Sequence, residues 1–176
     1  DLVTAGTCAH GTIKYREGTT GDYGTTIPTK KYPGTYYVYY MSVGETGYED
    51  YVATDPITVT IAPAPVTVTA ENKTKVYGEA DPTLTATVTG MISGEPDITY
   101  TLSRDAVEDV GYHTITPAGE ALQGNYAVSF VTGTLTISKK TVGIEWGTTS
   151  FDYTGSPQAP TATATGLVYN DKIGIT

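Results

Sequence analysis

The side chains able to do nucleophilic or acid–base chemistry are few and scattered in this sequence. Among 176 residues there are two histidines, His10 and His113, and one cysteine, Cys8. A Cys/His nucleophile pair needs contact in space and a third group that orients the base. Cys8 and His10 are close in sequence in a glycine-containing segment, but this closeness provides neither the contact in space nor the orienting group. We therefore predict no catalytic residues and no enzymatic activity.

Lys14 is the candidate for an internal isopeptide crosslink, which requires a lysine buried beside an amide and an acid. The neighbours Ile13 and Tyr15 alternate with Lys14 in an apolar and polar pattern of period two. Such a pattern is typical of a half-buried strand with Ile13 and Tyr15 inward. Lys14 is then predicted to face outward and to remain unlinked. His113, by contrast, is predicted to be packed on an inward strand face.

Carboxylates in predicted loops raise the question of a calcium site, since calcium prefers oxygen ligands. The candidate oxygens belong to Glu49, Asp50, Asp55, Glu95, Asp97 and Asp171. None of them lies in the dense Asp-x-Asp spacing of a calcium-binding loop. We expect solvated turn carboxylates, no metal site and no cofactor.

The tyrosines are better candidates for a contact surface. Alternation along the chain places Tyr36, Val38 and Tyr40 on one strand face and Tyr37 and Tyr39 on the other. With the first set inward, the exposed pair is predicted to stack on sugar rings or on a protein partner. The alternative interpretation is that the pair only covers a sheet face or an interdomain joint.

Composition and charge narrow the class of protein. Thr makes up about a fifth of the chain, and Tyr (15), Gly (20) and Pro (10) are frequent, a balance that favours many short strands joined by turns. The net charge of −9 opposes contact with nucleic acid or anionic lipid. No run is apolar and long enough to cross a bilayer, so we predict no membrane insertion.

Alternating patterns predict strands and no helix of useful length. The predicted strands lie near residues 11–15, 33–40, 57–61, 66–69, 84–89, 98–103, 111–116, 126–130 and 133–137. Ala62-Pro63-Ala64-Pro65 is predicted to interrupt the sheet, because proline has no backbone donor.

The strands recur with a spacing of about 76 residues. Residues 85–90 match 161–166 at a shift of 76, as Tyr77 matches Tyr153 and Ile61 matches Ile137; Gly34 matches Gly111 at 77, and Tyr48 matches Tyr126 at 78. This spacing suits one small domain per repeat. The predicted division is a partial first repeat over 1–63 without its opening strand, a complete repeat over 64–139, and the first part of a third over 140–176.

The central repeat resembles the MBG-type repeat of bacterial surface adhesins, in its YGX variety. The resemblance rests on Val66-Thr67-Val68-Thr69-Ala70, Lys75-Val76-Tyr77-Gly78-Glu79-Ala80-Asp81-Pro82, Val88-Thr89-Gly90, Gly111, Asn125-Tyr126 and Gly133-Thr134-Leu135-Thr136-Ile137. The flanking pieces resemble related repeats of the YDG or immunoglobulin-like type. The resemblance implies an extracellular, cell-surface or secreted bacterial protein without catalytic residues.

The predicted fold class is all-β, with small domains end to end. An immunoglobulin-like sandwich is the first choice and a β-grasp-like sheet the alternative. The predicted function is a stalk or spacer in an adhesin-like protein whose partners are neighbouring repeats. Two alternatives stay open, a module that binds host glycan or mucin and an accessory domain of a secreted enzyme.

Incomplete repeats at both ends would leave open sheet edges. One hypothesis is that a strand near Val142–Trp146 pairs with the open edge of a first repeat in another chain, by β-augmentation.

Overall fold

The computed structural model describes residues 1–174, so the last two residues of the predicted third repeat lie outside it. Every regular element in this range is a β-strand, which confirms the all-β prediction. The β-grasp alternative needs a packing helix, and residues 1–174 contain none. None of these residues forms a helix long and apolar enough to span a bilayer.

Fourteen strands follow one another in the described residues. They are β1 (Gly11–Glu17), β2 (Gly34–Gly44), β3 (Tyr51–Val52), β4 (Ile57–Ile61), β5 (Ala64–Ala70), β6 (Lys73–Val76), β7 (Ala86–Thr89), β8 (Thr101–Arg104), β9 (Gly111–Ala118), β10 (Leu122–Gln123), β11 (Tyr126–Val131), β12 (Gly133–Ser138), β13 (Gly143–Trp146) and β14 (Ala162–Thr165).

These strands form four sheets. One contains β1, β2 and β3 in that order, with β4 also paired to β2; two four-stranded sheets have the orders β10-β11-β5-β7 and β6-β12-β9-β8; and β13 pairs with β14. The β6–β12 pair is parallel. Antiparallel pairs are β1–β2, β2–β3, β2–β4, β5–β7, β8–β9, β9–β12, β10–β11 and β13–β14.

The chain divides into two compact units. The first contains residues 1–66, 92–96 and 121–128, and the second contains residues 67–91, 97–120 and 129–176, of which the structure describes those up to 174. This division follows contacts and does not test the predicted repeat boundaries, so those boundaries stay a prediction.

The first unit has its core on the inward face of β1 and β2. Leu2, Tyr15 and Val38 are buried there, and the half-buried side chains of Tyr36 and Tyr40 pack against them. Tyr36, Val38 and Tyr40 therefore share the inward face that alternation predicts. Tyr15 also fixes the start of the chain, because its hydroxyl accepts a hydrogen bond from Gly6 N at 2.6 Å.

The core of the second unit lies where two sheets face each other. Ala70 of β5 packs against Ile115 of β9 and against Leu135 and Ile137 of β12. The last three are at most 1% exposed. Two sheets that share one apolar layer in this way are consistent with the predicted β-sandwich.

The strand pairings recur with the spacing found in the sequence. Thr67 pairs with Thr89 in the β5–β7 ladder, and Gly143 pairs with Thr165 in the β13–β14 ladder, a shift of 76 on both strands that holds for all four residue pairs. Likewise Gly34 pairs with Ile61, and Gly111 pairs with Ile137. Equal spacing in sequence thus corresponds to equal hydrogen-bonding register.

Both overlaid tyrosine pairs have different surroundings. Tyr126 is buried, whereas Tyr48 is 55% exposed; Tyr77 is half-buried against the second core, whereas Tyr153 is 97% exposed. The shared backbone register therefore does not extend to equal packing of every side chain.

The break predicted at residues 62–65 is shorter than expected, because β5 begins at Ala64 and includes Pro65. Ala64 N donates to Asn125 O, so alternation turns the nitrogen of Pro65 to the opposite side of the strand. The β5–β7 ladder starts only at Thr67, and Pro65 interrupts no pair there.

The strand predicted at 98–103 is also misplaced, since β8 runs over Thr101–Arg104.

We expect Ile115→Ala to lower the free energy of unfolding by about 2–5 kcal/mol, because it leaves a cavity at a fully buried position. Thr116→Ala, at the next and exposed position of the same strand, should change it by no more than about 0.5 kcal/mol. Urea unfolding followed by circular dichroism measures both. Equal effects of the two substitutions would contradict the assignment of Ile115 to the core.

Candidate functional site

The predicted contact pair lies on the outer face of β2. Tyr37 is 48% exposed, and Val38 between the two tyrosines is fully buried. Tyr39 is half-buried, because Arg16 lies opposite it in the ladder and places its guanidinium carbon 5.4 Å from the centre of the ring. The same guanidinium lies 4.5 Å from the ring of Tyr23. Tyr37 is thus open to a partner, while Tyr39 already contacts a cation; the ligand-binding role of both stays a prediction.

The structure places a second exposed tyrosine beside a groove that the sequence analysis did not identify. Tyr112 on β9 is 83% exposed. It borders an open groove of about 640 Å³ whose other lining residues are Asn72, Lys73, Thr74, Pro82, Thr134 and Thr136. The signal was present in the sequence, because an inward His113 requires an outward Tyr112 on an alternating strand.

The histidines are both held by neighbouring groups. His113 is buried, with Nδ1 3.1 Å from Asp105 Oδ1 and Nε2 2.7 Å from Asp109 O, which confirms its inward position. His10 stacks on the ring of Tyr48 with a centroid distance of 4.4 Å. Cys8 is exposed. His113 ties the loop before β9 to that strand, and the ring of His10 packs on an aromatic side chain.

The strongest electrostatic feature is a charge cluster around Lys75, a residue of β6 whose side chain is 3% exposed. Lys75 Nζ lies 2.7 Å from Asp81 Oδ1 and 2.5 Å from Glu108 Oε2. A buried ammonium without partners would be strongly unfavourable, so these two carboxylates are required by the burial of the lysine.

Arg104 at the end of β8 completes the cluster. Its Nε and Nη2 donate to the two carboxylate oxygens of Asp81 at 2.7 and 2.8 Å, a bidentate arrangement. It also pairs with Glu108 and donates from Nη1 to the backbone oxygens of Asp105 and Val107. The cluster joins the loop after β6 to the loop before β9.

This arrangement shifts the pKa values of its members in a consistent direction. Hydrogen bonds from Arg104 and then from Lys75 lower the pKa of Asp81 from 3.8 to about 2. The same two cations lower the pKa of Glu108, and the two carboxylates raise the pKa values of Lys75 and Arg104. All four groups are therefore stabilised in their charged forms, which suits a structural role better than proton transfer near neutral pH.

The loop carboxylates considered for calcium do not form a ligand set. Glu95 pairs with Lys31 at 2.6 Å and accepts from Asn125 Nδ2 at 2.9 Å, and Asp50 accepts from Gly44 N at 2.8 Å. Within residues 1–174, no group of three or more His, Cys, Asp or Glu side chains has an arrangement that could hold a metal ion.

The second unit thus combines strands of two facing sheets, an apolar layer between them and an ion-pair cluster around Lys75. Residues 66–136 match the family described as MBG domain (YGX type), which confirms the resemblance seen in the sequence. The central segment is an MBG domain of this type, and the match spans less than half of the chain. The Tyr77-Gly78 pair and the Lys75–Asp81 ion pair lie within the matched range.

The other two comparisons gave no match, either among curated proteins or among solved structures. MBG domains occur typically in surface or secreted proteins, and the MBG repeat is generally a non-enzymatic domain.

We expect Asp81→Asn to lower the free energy of unfolding at pH 7 by about 1–3 kcal/mol, because the buried Lys75 and Arg104 lose a charged partner. The partial exposure of Asp81 keeps this below the range for a fully buried pair. Asp97→Ala, at an exposed loop carboxylate, is the control and should have little effect.

The same variant tests the pH dependence. The folded pKa of Asp81 lies below its ordinary value of 3.8, so its stabilising contribution is fully present above pH 3.8 and is lost as the pH falls through about 2. Thermal melts between pH 5 and pH 2 should show a smaller loss of stability in Asp81→Asn than in the unmodified chain. Parallel pH profiles would contradict the pairing.

Proposed function

We propose that this chain is part of the repeat region of a bacterial surface or secreted adhesin-like protein, and that its repeats act as a stalk that carries tension. The observation that carries the proposal is the parallel pairing of β6 with β12 in the central MBG domain. Lys73 pairs with Leu135 and Val76 pairs with Ser138, so a strand near the start of the domain lies beside its last strand.

A parallel pair in these positions resists extension. Tension enters the domain through β5 and β6 and leaves it through the carboxyl end of β12. It pulls β6 and β12 in opposite directions along the strand axis, and it loads their hydrogen bonds together. The two ion pairs that Lys75 forms with Asp81 and Glu108 also attach β6 to the rest of the domain. Such a geometry suits a segment whose task is to transmit force.

The recurrence of register at a shift of 76 supports the array. The β5–β7 ladder and the β13–β14 ladder are equivalent pair by pair, as are two of the longer ladders. Serial copies of a cohesive domain extend a protein without requiring a ligand for each copy. Neighbouring repeats are then the partners of each domain.

Single-molecule extension tests the stalk with a pair of matched variants. Tyr77 N donates to Ser138 O at 2.9 Å, so alternation points the N–H of Lys73 towards β12 and that of Thr74 away from it. Lys73→Pro should lower the mean unfolding force of the central domain more than Thr74→Pro does. The proposal fails if the domain extends without a resolved force peak, or if both prolines act equally.

Glycan binding is the second candidate function, and the exposed tyrosines favour it. Tyr37 on β2 and Tyr112 beside its groove present aromatic faces next to hydroxyl-bearing threonines, Thr58 opposite Tyr37 and Thr134 and Thr136 in the groove. Aromatic faces with nearby polar groups suit the apolar and polar sides of a sugar ring. The binding partner would be a host glycan or mucin.

A glycan array separates the two surfaces. If the predicted pair binds, a Tyr37→Ala, Tyr39→Ala double variant loses the signal while Tyr112→Ala retains it, and the reverse result would place the ligand in the groove. Tyr153→Ala, at a 97% exposed position outside both surfaces, is the control. A chain that binds no glycan would contradict this candidate function, and variants that all bind equally would exclude both surfaces as the binding site.

A further inference from the structure

Two loops of the chain share a sequence pattern and a backbone shape. Residues 90–95 follow β7, residues 166–171 follow β14, and both have a glycine, two apolar residues, two variable positions and an acid. The φ angles are 92° and 81° at Gly90 and Gly166. They are positive again four residues later, at 82° for Gly94 and 61° for Asn170. The loops differ at the position before, where φ is 51° at Tyr169 and not positive at Ser93.

The internal hydrogen bonds of the two loops also correspond. Glu95 N donates to Ile92 O at 3.2 Å, and Asp171 N donates to Val168 O at 2.9 Å. Both members of each pair are 76 residues apart, which is the repeat spacing. The two loops therefore share their spacing, their glycine and a turn hydrogen bond.

Residues 92–95 of the first loop pack within the first compact unit. Ile92 and Glu95 line a cavity of about 290 Å³ together with Tyr32, Pro33, Ile61, Ala62, Ala64, Lys31 and Asn125. Glu95 forms an ion pair with Lys31 there. Two hydrogen bonds lower the pKa of Glu95: the larger effect is that of Lys31, and the next is that of Asn125. Apart from Asn125, these partners precede the matched MBG range in sequence.

The second loop packs within the second compact unit, on the Tyr77-Gly78 pair. A cavity of about 380 Å³ is lined by Tyr77, Val110, Lys139, Lys140, Val142, Gly166, Leu167, Val168, Asp171, Lys172 and Ile173. The rings of Tyr77 and Tyr169 meet edge to face with a centroid distance of 5.5 Å. Burial and then the nearby carboxylate of Asp171 raise the pKa of Tyr77.

Gly78 is fitted to this contact in two ways. Its φ of 83° is a conformation that L side chains rarely adopt. A Cβ at this position would also lie 2.6 Å from Val168 Cγ2 and 2.8 Å from Val168 Cγ1. The glycine of the Tyr-Gly motif therefore leaves the space that Val168 fills.

The two cavities have equivalent lining positions. Ala64 and Lys140, Ile92 and Val168, and Glu95 and Asp171 are each 76 residues apart. Pro33 and Val110 are 77 apart, the same shift that relates the starts of β2 and β9. Two of these pairs, Ala64 with Lys140 and Pro33 with Val110, lie outside the two loops, so the correspondence extends to the residues on which the loops pack.

We propose that the surface formed by Tyr77, Gly78 and Val110 is a docking surface for the next repeat of the array, and that its partner is the loop with this glycine, apolar, apolar, acid pattern. This inference rests on the proposed tandem array and adds the recognition element between successive repeats. The small residue at position 78 and the acid at the end of the loop determine which segment fits.

Hydrogen–deuterium exchange of the whole chain tests the docking. Val168→Asp should speed amide exchange in residues 139–146 and 162–173 about tenfold or more, and leave the protected amides of β9 and β12 unchanged, since Val168 is not part of the sandwich core. Thr149→Asp adds the same charge at an exposed position of the same segment and should leave exchange unchanged.

Replacement of the loop distinguishes a loss of docking from a folding defect caused by the substitution. A chain with residues 166–171 replaced by Gly-Met-Ile-Ser-Gly-Glu, the sequence of the first loop, should keep the protection, and a glycine–serine loop of equal length should lose it. Unchanged exchange in Val168→Asp, or equal loss with both replacement loops, would overturn the proposal. The extension experiment measures the unfolding force of the central domain, whereas the exchange experiment measures docking. Failure of the docking proposal and failure of the stalk proposal are therefore distinguishable.

Discussion

The burial of a thin apolar layer is the constraint on which the MBG domain depends. Ile115, Leu135 and Ile137 are almost fully enclosed, and Ala70 brings the opposite sheet close enough to cover them. A domain of about 75 residues buries a smaller fraction of its surface than a larger one, so each inward position on β9 and β12 matters. Threonine on the outward positions keeps the same strands extended without adding apolar surface.

The charges at the end of the layer extend this constraint to the loops. Lys75 lies on an inward position of β6, and only the carboxylates of Asp81 and Glu108 make its burial tolerable. Arg104 connects these acids to the backbone before β9. The loop that contains Gly78 is thereby tied through Asp81 to β6 and to β8.

Much of the fold and part of the candidate site could be predicted from the sequence, and the exceptions have physical reasons. Alternation located the inward faces of β2 and β9, including Val38 and His113, because period-two burial is a local property. It misplaced β8, where Ile98 and Tyr100 continue the pattern outside the ladder, and it overestimated the break at Pro65, whose effect depends on which side of the strand is paired. The Lys75 cluster and the Tyr112 groove join residues far apart in the chain, and a single sequence without geometry does not show them.

The inward placement of two cations also bears on how the domain meets proteases that cleave after lysine and arginine. Lys75 and Arg104 have their side chains enclosed by carboxylates, and their peptide bonds lie in strands paired to β12 and β9. A protease must draw such a side chain into its specificity pocket and extend the adjoining backbone in its cleft. Both requirements oppose the native ladder, so digestion at these two positions is coupled to the unfolding of the sandwich and becomes slow wherever the domain stays folded.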